Sequence, residues 1–98
     1  MALKYMVYLI TWDLNREKPN YATARANFIA RLNEYESIKD AGLDSVRFVS
    51  TNWIARKVSD DLRKNLDDND RIMVTKLVSG NHQGWLDEKV WDWINARL

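Results

Sequence analysis

Tyr5-Met6-Val7-Tyr8-Leu9-Ile10-Thr11-Trp12, running into Asp13-Leu14-Asn15, is the stretch whose reading decides the fold. Residues 5–12 are β-branched, aromatic or aliphatic, with little polarity on either alternating set. That pattern predicts a central strand covered on both faces. Asp13 follows where the strand gives way to a polar loop. A residue at such a junction is held by the sheet yet faces solvent, so its carboxylate is available to a metal ion or a phosphate-linked cation.

Working outward, residues 13–20 are a mostly polar loop with the single proline, Pro19, and Asn20 is placed as a helix N-cap. Apolar positions then fall at Tyr21, Ala24, Phe28, Leu32, Tyr35 and Ile38. Steps of three and four predict one long amphipathic helix from Tyr21 to about Lys39, ended by Gly42 in the left-handed conformation. Val46–Val49 reads as the second strand and Trp53–Ala55 as the third, joined as a hairpin through Ser50-Thr51-Asn52. Ser59 is expected to cap a helix reaching about Leu66, with Asp60 and Asp61 in its first turn. Asp67-Asp68-Asn69-Asp70 is turn chemistry, and Ile72–Val78 the fourth strand. Val90, Trp91, Ile94 and Leu98 suggest a short terminal helix.

The predicted order is β-α-β-β-α-β with a C-terminal extension. The expected class is therefore α+β: a ferredoxin-like antiparallel sheet with two helices on one face. Residues 1–98 form one domain, with a core over about 5–78 and an extension over about 79–98. At 98 residues the chain supports one hydrophobic core, and 46% apolar with 30% charged residues is an ordinary globular composition. The start Met1-Ala2-Leu3-Lys4 leads straight into the first strand without the layout of a signal peptide. No apolar run approaches the ~20 residues that span a bilayer. With no cysteine there is no disulfide framework or thiolate metal site. No membrane association and a cytoplasmic location are the expectations. A net charge of +1 argues against a general polyanion binder but leaves room for a local basic patch.

Four groups of residues resemble a known family: Tyr8–Asn15, Asn20-Tyr21, Ser50–Ile54 and Leu66–Val74. Their order and spacing are similar to small bacterial proteins described as SinR-like, relatives of the CRISPR-associated Cas-two family and the VapD toxins. The resemblance covers roughly residues 5–78. It implies a ferredoxin-like homodimer in which Asp13, at the position of a Tyr-Asp dipeptide ending the first strand, faces its symmetry mate. There it would serve divalent-metal-dependent nuclease chemistry with Mg²⁺ or Mn²⁺. Trp12 replaces the tyrosine, and Tyr21-Ala22-Thr23-Ala24-Arg25 replaces the arginine-rich start of the family's first helix. Cas-two proteins also act as structural adaptors, so the resemblance equally implies a non-catalytic module that binds nucleic acid or protein.

Each candidate has a plainer alternative. Asp13 could merely brace its loop, as Asp does at strand ends. Asp67, Asp68 and Asp70 lack the glycine and trailing glutamate of a calcium loop and read as a turn. His82 stands alone, without a ligand set, in a polar loop. Ser50 and Thr51 have no histidine placed to activate them. Arg47, Arg56, Lys57, Arg63 and Lys64 suit either phosphate contacts or a solvated face. Tyr5, Tyr8, Trp12, Phe48 and Trp53 suit core or interface better than base stacking. A homodimer is expected because the sheet face opposite the helices is apolar too. The partner, with help from the segment around Trp85, Trp91 and Trp93, would cover it.

Overall fold

The computed structural model describes residues 4–98; the expected run of Met1–Leu3 into the first strand lies outside them. Over the described residues the chain is an α+β protein with a four-stranded antiparallel sheet and three helices. In chain order these are β1 (Met6–Asp13), α1 (Tyr21–Leu32), β2 (Glu36–Ile38), β3 (Val46–Thr51), α2 (Ala55–Arg63), β4 (Arg71–Lys76) and α3 (Glu88–Arg97). The strands lie in the order β2-β3-β1-β4. β1 pairs with both β3 and β4, so the most apolar strand occupies the middle of the sheet.

Alternation along β1 divides the core in two. Tyr8, Ile10 and Trp12 point to one face, where they pack with Phe28 and Leu32 of α1 and Val58 and Leu62 of α2. Val7, with Leu9 packed beside it, points to the other face and meets Phe48, Leu77 and the α3 residues Val90 and Ile94. The opposite face, for which a partner subunit was expected as cover, thus carries the chain's own C-terminal helix. Trp91 and Trp93 pack against this second cluster, whereas Trp85 is 99% exposed. No helix among the described residues is long and apolar enough to cross a membrane.

Three local expectations are corrected. First, α1 stops at Leu32, and residues 33–35 turn back through bonds from the Asn33, Glu34 and Tyr35 amides to Ile29, Arg31 and Leu32 carbonyls. Tyr35 and Ile38 keep helical spacing but serve opposite faces of the sheet, because Glu36–Ile38 pairs with Phe48–Ser50 as β2. Gly42 is therefore no helix cap. Its amide donates to Asp40 Oδ1 at 2.8 Å in the β2–β3 connection, and the positive φ among the described residues belongs to Gly80, at 77°.

Second, Trp53–Ala55 is not a strand. β3 continues through Ser50 and Thr51, the Trp53 amide donates to Thr51 Oγ1 at 3.2 Å, and the chain turns directly into α2. Ser59, Asp60 and Asp61 therefore lie in the body of that helix rather than at its start. The hairpin joins β2 to β3 instead. Third, Asn20 precedes α1 but its side chain makes no capping bond.

Candidate functional site

Asp13 is the last residue of β1, and its neighbours on both sides are fixed. Trp12 is buried edge-on against Phe28, with ring centroids 5.1 Å apart, and its amide donates to the Ser45 carbonyl at 3.2 Å. Leu14 is buried, and the Asn15 amide donates to Asp70 Oδ1 at 2.8 Å. Asp13 itself is exposed, opposite Arg71 on β4. Its carboxylate accepts no hydrogen bond from the described residues.

The residue that braces the loop is Asp70. Its side chain is fully buried and accepts from the Asn15 amide, from Lys18 Nζ at 2.6 Å and from the Asp67 amide at 3.0 Å. Burial pushes the Asp70 carboxyl up, but the Lys18 bond and the two amides outweigh it and hold the group below its ordinary value. Lys18 is raised in turn, chiefly by its bond to Asp70. This clamp fixes residues 14–20 and so fixes the direction in which Asp13 leaves the sheet.

A cleft of about 310 Å³ opens beside Asp13. Arg16 enters it from the clamped loop, Tyr21 and Arg25 from α1, Lys39 from the end of β2, and Asp44 from the turn before β3. These residues come from four segments and meet only because β2 is a strand that carries Lys39 up to the end of β1. The first turn of α1 has no acidic residue, so the positive end of its dipole adds to the three cations. The cleft combines three positive charges with two carboxylates. That is a composition suited to an oxyanion-bearing ligand such as a phosphodiester.

The other sequence candidates lie elsewhere. Asp67 and Asp68 belong to the turn that Asp70 organises, where the Asn69 amide donates to Asp67 Oδ1 at 2.9 Å. A larger cavity of about 530 Å³ lies over this turn and the end of α2. His82 is half-buried, stacked on Trp91 with its Nδ1 2.9 Å from the Val78 carbonyl. Ser50 and Thr51 are buried in β3. Arg47 is not a surface cation. It projects beneath α1, is 9% exposed, and donates to Asn33 Oδ1 and Ser37 Oγ, while burial lowers its pKa. Tyr8, Trp12 and Phe48 are core residues, and Trp53 carries Lys57 Nζ 4.2 Å above its ring.

Asp61, on the inner side of α2, accepts from Arg31 Nε at 2.9 Å and from the Tyr35 hydroxyl. Burial pushes its carboxyl up, yet these bonds hold it below its ordinary value. Both bonds fall on Asp61 Oδ2, and together they tie α2 to α1 and the start of β2.

Among the described residues no group of three His, Cys, Asp or Glu is placed to hold a metal ion. Mg²⁺ commonly binds through one or two carboxylates and completes its shell with water and substrate phosphate, and the two carboxylates lining this cleft are Asp13 and Asp44. No protein-family model matches this chain, and neither a curated protein nor a solved structure matches it.

Proposed function

We propose that this chain is a ferredoxin-like, Cas-two-like dimeric module that binds a nucleic-acid backbone in the cleft beside Asp13. The observation that carries the reading is the convergence of Arg16, Arg25 and Lys39 on one cleft in a chain with a net charge of only +1. Phosphate oxygens are the natural counter-charge for three cations on separate elements. Two helices on one face of an antiparallel sheet, with β1 and β3 at its centre, favour the ferredoxin-like description. The resemblance of Trp12-Asp13 to the family dipeptide favours the same placement of the site.

A second reading, a metal-dependent endonuclease, is favoured by Asp44 lining the cleft together with Asp13. Asp13 and Asp44, or Asp13 from both subunits, would hold Mg²⁺ or Mn²⁺, which would activate water and neutralise charge at a phosphodiester. Arg16, Arg25 and Lys39 would orient the phosphate. The test is titration of labelled single- and double-stranded RNA and DNA with and without Mg²⁺, in parallel with a cleavage assay. Binding that weakens with salt and with Arg25→Ala supports the module. Cleavage abolished by Asp13→Asn, with binding retained, selects the nuclease. Absence of salt-dependent binding to any of the four nucleic acids rules out both.

A further inference from the structure

The loop between β4 and α3 holds a tryptophan out into solvent. The Asn81 amide and His82 Nδ1 meet the Val78 carbonyl, each at 2.9 Å, His82 stacks on Trp91, and the Asp87 amide donates to Asp40 Oδ2 at 2.8 Å. Between these anchors Trp85 is 99% exposed. It borders a groove of about 280 Å³ with Leu9, Leu43, Phe48, Leu77, Trp91 and Ile94 on one side and the loop of residues 82–86, Trp85 included, on the other. Met73, 63% exposed, is the diagonal neighbour of Leu9 on the same sheet face and extends the apolar rim.

We infer that Trp85 seats in this groove on a second copy of the chain, reciprocally, so that two copies are joined by two identical contacts. The inference rests on the dimeric reading above and gives it a surface. A cavity of roughly 150 Å³ accepts a benzene ring, so a groove nearly twice that size admits the two rings of an indole. A fully inserted indole buries at most about 250 Å². With the matching groove walls, two complete insertions bury at most about 1,000 Å² in total, the lower bound for a specific interface. A net charge of +1 per copy opposes the approach only weakly. The same patch on both copies is the self-complementary arrangement of a two-fold dimer.

The experiment is sedimentation of the intact chain and of Trp85→Ala and Leu43→Glu from ~1 to ~200 µM, with circular dichroism to confirm folding. The intact chain should pass from 11.6 kDa to twice that mass. Both variants should weaken association by about 30-fold or more, as expected of an aromatic hot spot. The emission difference between the intact chain and Trp85→Ala should shift to the blue as the dimer forms. A dimer that survives either substitution overturns this surface and leaves the dimeric reading standing. An intact chain that stays at 11.6 kDa throughout overturns both. Blue-shifted Trp85 emission that does not depend on concentration means the indole closes on its own groove, and it also overturns the proposal.

Discussion

Asp13 and Asp70 stand at the same end of the sheet, one closing β1 and the other opening onto β4, and they are used in opposite ways. Asp70 is buried and its oxygens are taken up by Lys18 and two backbone amides. Asp13 is exposed and accepts nothing from the described residues. A carboxylate that has spent its lone pairs on the fold is chemically inert. One that keeps them, on a backbone fixed by its neighbour, is available to a ligand. The difference separates the acid that builds the site from the acid that occupies it.

The largest expected effect is on the buried member. Asp70→Ala should cost about 3 kcal/mol, because it strands an ammonium group and two amides without their acceptor. Urea unfolding measures this, and a loss under ~1 kcal/mol would erase the contrast. Acid should act in the same direction. Asp70 and Asp61 are both held below the ordinary carboxylate value in the folded chain. Their contribution is therefore complete above the unfolded value near ~4 and is lost as pH falls through the lower folded value. Stability should be flat from ~pH 6 to ~8 and decline below ~4, and Asp70→Asn should shallow that decline.

The cleft should respond through binding instead of stability. Arg25→Ala and Lys39→Ala should each weaken nucleic-acid binding and reduce the slope of log K against log salt by about 1, the mark of one lost phosphate contact. Unchanged slopes would move the ligand away from this cleft. The smallest effect belongs to Asp13→Asn, which should alter unfolding free energy by no more than ~0.5 kcal/mol. A larger loss in the urea titration would make Asp13 a second brace.

Residues 5–12 were legible because both of their alternating sets are apolar, and Asp13 because a charge after such a run must lie at the strand's end. The cleft around it was not legible. Tyr35 and Ile38 continue the spacing of α1, so nothing local revealed that Glu36–Ile38 pairs with β3 and delivers Lys39 and Asp44 to Asp13. Trp53-Ile54-Ala55 has β-like composition, but Val58 and Leu62 already set a helical stripe that begins at Ala55. Arg47 looked like a surface cation. Its position two residues before Val49 places it on the inward face of the same strand. There tertiary neighbours, Asn33 and Ser37, accept from its Nη1, and its Nε is buried without a partner among the described residues.

The enclosure of β1 has a consequence for amide exchange. β1 is flanked by β3 and β4 and covered by α1 and α2 on one side and α3 on the other. Solvent deuterium should thus reach the amides of Val7 to Ile10 only when the whole domain opens. The three-residue β2 and the outer rim of β4 are free to fray. The slowest amides should therefore cluster in this one strand, and their opening free energy should equal the global value from urea.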